Sequence, residues 1–325
     1  MTFWNDKRVL VTGGAGFIGS HAAELLVEKG ARVTVADNLE NGNLKNLERV
    51  REQIEFVKCD LKDPGDAARA ARGMDIILHL AAKVGGIGYN KEHPGTMFRS
   101  NMMMQINVLE AARVNRVSRL VMVSSACVYR RDCTIPTPES EGFEGVPEPT
   151  NEGYGWAKRM AELQAKLYET EFGMAIAVVR PYNAYGPRDH FDPEKSHVIP
   201  ALIRRVFSGE DPLVVWGNGE QSRSFLYVTD FAEGILLAAE KGCGKGPINL
   251  GTVEEIKIKD LVRMIADASE KDISIHYDTA KPTGQPRRNC DSSRAGEILG
   301  FAPKVRLKEG LRQTIEWYKR KENEK

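Results

Sequence analysis

The sequence predicts an α/β protein built on a doubly wound parallel sheet, with a smaller, interleaved α/β region toward the C-terminus. Two patterns carry that expectation. Short apolar runs alternate with amphipathic helical stretches through the first 180 residues, the rhythm of successive β-α-β units. Those runs also show little polar alternation, as strands covered on both faces do.

The elements follow in order. Arg8–Thr12 reads as the first strand and Ser20–Lys29 as the helix after it. Arg32–Ala36, Ile54–Lys58 and Asp75–Leu80 read as the next three strands. Ser100–Val114 has the length and periodicity of a long helix, and Leu120–Ser124 is the apolar run behind it. Glu152–Phe172 is a second long helix, followed by a strand at Ala175–Arg180. Beyond Arg180 the rhythm loosens, and prolines and glycines cluster at 181–193, 209–219 and 242–251. Helical patterns return at Val198–Ser208, Val228–Lys241, Ile258–Glu270 and Leu307–Lys321. We therefore divide the chain into residues 1–180, with about 225–252 returning to that unit, and a mainly C-terminal unit over 181–325. The tail KRKENEK reads as a frayed helix end.

Bulk properties narrow the function. With 46 Lys+Arg against 45 Asp+Glu, the net charge of +1 lacks the basic excess of a nucleic-acid binder. No run approaches the roughly 18 apolar residues of a membrane span. The N-terminus runs into a strand without the apolar core of a secretory signal, so a cytoplasmic location is expected. Five cysteines, at 59, 127, 133, 243 and 290, are odd in number and irregularly spaced. They form neither a C-x-x-C pair nor a zinc-ligand pattern, so no metal site is expected.

The turn VTGGAGFIGSH sits between the first strand and the first helix. Gly13, Gly16 and Gly19, with Phe17 and Ile18 between the last two, give G-x-x-G-x-x-G spacing. Glycines there let the backbone approach a pyrophosphate, which the N–H groups and dipole of a helix N-terminus attract. Asp37 follows 18 residues after Gly19, at the end of the second strand, with Asn38 beside it. A carboxylate in that place accepts from a ribose 2′-OH and repels a 2′-phosphate, so the spacing points to NAD on a Rossmann sheet. Asp60 and Leu61, after the third strand, fall where the adenine would lie.

Tyr154 and Lys158 are four residues apart on the second long helix and so share a face. A phenol with a pKa near 10 is a poor base at neutral pH. A neighbouring ammonium and a nicotinamide cation stabilise its phenolate and make it a usable acid/base.

At this point the chain resembles the extended short-chain dehydrogenase/reductases that act on nucleotide sugars. The resemblance spans nearly the whole chain and rests on TGGAGFIG, Asp37-Asn38, HLAA at 79–82, SSACVY at 124–129, YGWAK, RPYNAYGP at 180–187 and RSFLYVTD at 223–230. It implies that Tyr154 is the acid/base, that Lys158 holds the nicotinamide ribose, and that Ser125 bonds the sugar 4-OH. It assigns Leu80, Ala81, Ala82, Lys83 and Tyr182 to the cofactor. Gly86, Asn183, Val198, Arg204, Arg223, Arg287 and Arg288 it assigns to the nucleotide sugar, since guanidinium forks suit a diphosphate. It also implies a homodimer built on the helices around 101–114 and 152–172.

Two subgroups come nearer. HLAAKVGGI, NMMMQINVLEAAR, EPTNEGYGWAK and SHVIPALIRR are similar to GDP-L-fucose synthase; SSACVY, VLEAARV and RLKEGLR are similar to GDP-mannose 3,5-epimerase. Both imply that Cys127 is an acid/base at a carbon beside a 4-ketone. The partner base on the other face is His197 in the synthase pattern, or Lys195 in the epimerase pattern. By itself a cysteine after a strand is more often a small core residue, and a lone histidine more often solvated.

Among reactions, a 4,6-dehydratase would need a carboxylate after the fifth strand, where this chain has Ser125-Ala126-Cys127. A plain 4-epimerase has no task for Cys127. A synthase consumes NADPH, which Asp37 disfavours. The expectation is thus an NAD-dependent nucleotide-sugar epimerase, GDP-hexose favoured, of the 3,5-epimerase type. The non-enzymatic alternative is a dinucleotide-sensing regulator, which needs neither Tyr154 nor Lys158.

Overall fold

Seven strands pair side by side, every neighbour parallel. The computed structural model describes residues 2–193, 196–281 and 285–323. In chain order the first half runs β1 (Arg8–Thr12), α1 (Phe17–Glu28), β2 (Arg32–Asp37), β3 (Ile54–Lys58), α2 (Pro64–Ala71), β4 (Ile76–His79), α3 (Ile87–Glu92), α4 (Pro94–Val114), β5 (Arg119–Val123), α5 (Glu152–Phe172) and β6 (Ile176–Pro181). The second half runs β7 (Ala184–Tyr185), α6 (Val198–Phe207), β8 (Leu213–Trp216), β9 (Ser222–Ser224), β10 (Leu226–Tyr227), α7 (Val228–Lys241), β11 (Pro247–Leu250), β12 (Glu255–Lys257), α8 (Ile258–Ala268), β13 (Ile275–Asp278), β14 (Arg287–Arg288) and α9 (Leu307–Asn323).

The sheet order is β11-β6-β5-β4-β1-β2-β3. The chain winds outward in one direction from β1 through β3, then in the other from β4. The switch lies between β1 and β4, whose carboxyl ends therefore open a crevice.

Strand alternation divides the core. Leu10, Ile77, Leu120, Met122, Ile176 and Val178 pack under α2, α4 and α5 on one face. Val9, Val11, Leu78, Val121 and Val179 pack with α1 and α7 on the other. Since both faces are covered, each strand is apolar at consecutive positions. A separate apolar cluster joins α6, α8 and α9 through Ile203, Leu261, Val262, Leu311 and Ile315.

Several elements depart from the sequence expectation. α1 begins at Phe17 rather than Ser20, because the backbone of Gly16 already serves as its cap. α4 begins at Pro94, where proline at the first helical position preorganises φ and forfeits no bond. α2, capped by Asp63 through a bond from the Asp66 N–H, was not expected; it is only eight residues long, and the face it buries is alanine, Ala67, Ala70 and Ala71, with no large apolar side chain to mark it. Nor were the short strands beyond Pro181 expected; β7, β10 and β14 have two residues each.

The segment after β6 folds back over α1. Pro187 O lies 3.0 Å from His21 Nε2, and Arg188 bridges to Glu24 at 2.5 Å. This brings the loops of the second half onto the carboxyl edge of the sheet.

Candidate active site

The β1–α1 turn forms the first wall. Gly13 has φ +67, and a Cβ there would come 2.9 Å from the Ala81 backbone. A Cβ on Gly19 would overlap the Gly13 carbonyl oxygen. The turn thus closes only with glycine at both places, and Gly16, Phe17 and Ile18 open a helix whose cap receives no side chain. Its first N–H groups remain free to meet a phosphate. Asp37, buried at the end of β2, accepts from the N–H of Ala15 at 3.0 Å and of Leu39 at 2.8 Å. Burial raises its pKa, and these two bonds oppose the rise. The cradle and the carboxylate at its rim are the features a dinucleotide with a free 2′-OH requires, so these residues fit NAD.

The remaining cofactor candidates line the same edge. Asn38 accepts from the Glu40 N–H at 2.9 Å. The Asp60 N–H donates to Asp66 at 2.8 Å, and Leu61 is buried. Leu80 and Ala81 lie against Gly13. Ala82 leads into Lys83, whose ammonium pairs with Glu40 at 2.6 Å and whose loop is pinned by Asn101. Gly86 caps α3. Below them His79 Nδ1 meets Thr12 Oγ1 at 2.8 Å; burial holds its pKa down to about 3, so the ring is neutral.

Helix α5 supplies the second wall. Gly155 lets it press on the SSACVY segment: a Cβ there would stand 2.5 Å from the Cys127 carbonyl oxygen. The neighbouring Tyr154 is thereby set beside Ser125 and Cys127. Burial pushes the Tyr154 phenol up, Cys127 pushes the same way, and a hydrogen bond from Ser125 opposes them. Lys158 stands under the tyrosine, its ammonium 5.6 Å from the ring centroid, and donates to Val123 O at 2.7 Å. Burial lowers its pKa to about 8, while Glu162 works against that fall.

Glu162 lies one turn beyond Lys158 on the same stripe. It accepts from Ser124 and forms a fully buried pair with Arg180 at 2.6 Å. Sequence reading missed this pair, though the i, i+4, i+8 spacing of Tyr154, Lys158 and Glu162 was there to see.

Ser125 Oγ accepts from the Cys127 N–H at 3.1 Å, which turns the chain sharply after β5. Cys127 is half-buried, and the Arg288 guanidinium is close enough to interact with its thiol. Strand alternation separates the two arginines of β14. Arg287 is tied to Glu255 at 2.9 Å, while Arg288 pairs in register with Arg223 of β9. The Arg223 pKa falls to about 10, through burial first and then Arg288. Two adjacent guanidiniums suit a diphosphate, and Arg287 is not part of that pair.

His197 precedes α6 with its side chain 72% exposed. Its Nδ1 lies 3.9 Å from the buried Asp189 carboxylate, which raises its pKa. Val198 packs against the α6–α8–α9 cluster. Asn183, at φ +32, donates to Ser224 O at 2.8 Å. Tyr182 points inward, packed with Tyr129 and Cys290. Arg204 stands apart, in a groove of about 490 Å³ with Phe207, Tyr318 and Lys319. Lys195 lies outside the described residues.

The structure therefore brings together Ser125, Cys127, Tyr154, Lys158 and Arg288 at the carboxyl ends of β5 and β6, beside the dinucleotide cradle. The pattern of the NAD dependent epimerase/dehydratase family matches residues 9–251. The chain is 34% identical over 324 residues to the probable GDP-L-fucose synthase 1 of Oryza sativa subsp. japonica, covering 98% of this chain and 94% of that one. It is 32% identical over 326 residues to GDP-mannose 3,5-epimerase 1 of the same plant, covering 98% and 83%. Among solved structures, UDP-glucose 4-epimerase of Thermus thermophilus in complex with NAD superposes with TM-score 0.83 at 29% identity, covering 96% of this chain and 99% of that one. The chain belongs to the NAD-dependent epimerase/dehydratase family, the extended short-chain dehydrogenase/reductases that act on nucleotide sugars.

Proposed function

We propose that this protein is an NAD-dependent nucleotide-sugar epimerase of the GDP-mannose 3,5-epimerase type, working as a cytoplasmic homodimer. The observation that carries the reading is Cys127, a half-buried thiol beside Arg288 and next to Tyr154 and Ser125. Residues 181–325 mainly hold the nucleotide sugar, with Arg223 and Arg288 on its diphosphate.

NAD, when bound, is the reversible oxidant for carbon 4 of the sugar. Tyr154 takes the proton of the 4-hydroxyl, and Lys158 stabilises the phenolate it needs for that task. Ser125 bonds the oxygen at carbon 4. Once that carbon is a ketone, the C–H bonds on carbons 3 and 5 become acidic. Ser125 and the protonated Tyr154 then stabilise the enolate oxygen. Inversion removes a proton from one face and returns one to the other. Cys127 serves one face, and His197, backed by Asp189, serves the opposite one. Return of carbon 4 to the alcohol completes a redox-neutral cycle.

GDP-L-fucose synthase chemistry is the second reading, favoured by the S-H-V-I-P setting of His197. It ends in a step that consumes NADPH, and the Asp37 carboxylate opposes a 2′-phosphate. A simple 4-epimerase leaves Cys127 without a role. Incubation with GDP-mannose in heavy water distinguishes the three. Deuterium entering carbon 3 or 5 without added reductant is the expected result, and its absence from both carbons sinks the proposal.

A further inference from the structure

Glu40 has no task in the reaction above, yet the Lys83 ammonium is committed to it. The two side chains meet at 2.6 Å, with Glu40 47% exposed and Lys83 19%. Their places in the fold give the contact its meaning. Glu40 follows β2, which ends at Asp37, and Lys83 follows β4, which ends at His79. These two strands flank β1. The ion pair therefore joins two loops across the carboxyl end of β1, where the glycine turn begins.

Each loop is fastened to that turn on its own side. On the β4 side, the Leu80 N–H donates to Thr12 O at 3.3 Å and the Ala81 N–H to Thr12 Oγ1 at 3.2 Å. On the β2 side, the Asn43 N–H and the Asn46 side-chain amide both donate to Ala15 O at 2.9 Å. The paired residues are themselves anchored. Asn101 brackets the Lys83 backbone with bonds of 3.0 and 3.1 Å, and the Tyr89 ring centroid lies 5.8 Å from the ammonium. Leu39, just before Glu40, holds φ +65, a conformation that disfavours any residue with a side chain. Its N–H bonds to Asp37 and its side chain packs on the core, so the surroundings enforce the turn that precedes Glu40. The pairing lowers the Glu40 pKa and raises that of Lys83. Lys62 also acts on Glu40, but it is paired with Asp60 at 3.2 Å.

A half-exposed pair of this kind adds little to folding stability. It does hold two loops together over the ground between them. That ground is the dinucleotide cradle, with Asp37 at one rim and Leu80 and Ala81 at the other.

We propose that Glu40 and Lys83 form a clasp over the cradle, which must open for NAD to leave and so keeps the cofactor in place from one turnover to the next. This rests on NAD binding and on no choice of sugar. The clasp is closed before NAD binds as well as after, so it slows uptake and release alike, as lids do.

Release is followed from enzyme loaded with radiolabelled NAD and chased with excess unlabelled NAD. Wild type, Glu40→Gln, Lys83→Met and the double variant are compared. Each single variant is expected to release NAD about three- to fivefold faster, the scale of an exposed ion pair. The double variant should be no faster than either single one, because one contact is lost in all three. Uptake should quicken in step, leaving the calorimetric dissociation constant within about twofold of wild type. In roughly 1 M salt, which screens charges beyond a few ångströms, wild-type release should approach that of the variants. Faster release in Lys83→Met alone makes Lys83 a direct contact of the cofactor and overturns the clasp. Unchanged release in both single variants overturns it, as do additive effects in the double variant. A dissociation constant that rises in step with release also overturns it, since the pair would then stabilise the bound state rather than bar the way.

Discussion

Cys127 and Ser125 stand two residues apart on one turn, yet the proposed chemistry separates them. Ser125 belongs to the redox step at carbon 4, and Cys127 to the carbon-acid step beside it. Cys127→Ser should therefore retain oxidation at carbon 4, seen as transient NADH absorbance. Deuterium exchange at the neighbouring carbon should fall by about 10²–10⁴-fold, the usual worth of a positioned acid/base. Equal loss of both signals would make the cysteine structural. Lys158 gives a pH prediction. In the proposed chemistry its ammonium supports the Tyr154 phenolate, and burial holds its pKa near 8. The charged form is lost as pH rises through that value, so turnover should decline above about pH 8. The stability effect has the opposite sign. A lysine whose folded pKa lies below its ordinary 10.5 binds protons less well folded than unfolded, so its cost is fully present below pH 8 and is relieved between about 8 and 10.5. Lys158→Met should be inactive but at least as heat-stable at pH 7, and a lower Tm would contradict this reading.

The elements hold these side chains through close backbone approach. α1 meets β1 only because Gly19 leaves room for the Gly13 carbonyl. Gly19→Ala should force that turn open, destabilise the fold by about 1–3 kcal/mol as overpacking does, and weaken NAD binding; calorimetric titration of NAD checks it. Intact affinity would mean that the cradle does not depend on this contact. α5 likewise meets the turn after β5 through Gly155. The long helices and buried strands were legible in the sequence because their periodicity runs over many residues. α2 and the short strands beyond Pro181 were not, since two to eight residues carry too little pattern. Among site residues, Ser125 enters through the family resemblance, whereas Tyr154, Lys158 and Asp37 announce themselves by spacing. Arg287 and Arg288 do not: adjacent in sequence, they are sorted to different partners by strand alternation.

At the scale of the molecule, α4 and α5 pack together and still leave apolar side chains uncovered. Ile106 is 44% exposed, Val114 53%, Leu167 54% and Phe172 42%. No helix among the described residues is long and apolar enough to cross a membrane. A second copy of the chain is the expected cover. Ile106→Glu with Leu167→Glu should shift sedimentation from dimer to monomer while leaving NAD binding intact, and a wild type that sediments as a monomer would refute the homodimer. The sequence by itself determined the sheet, the dinucleotide cradle and the Tyr154–Lys158 pair, because each is written in local spacing that a strand or helix converts directly into shared faces. Only the tertiary structure decided that Arg288 rather than Arg287 stands at Cys127, that Arg204 lies in another groove, and that Glu162 is paired with Arg180. Those contacts join segments 18 or more residues apart, and nothing in one-dimensional spacing states which side chains a folded chain will bury together.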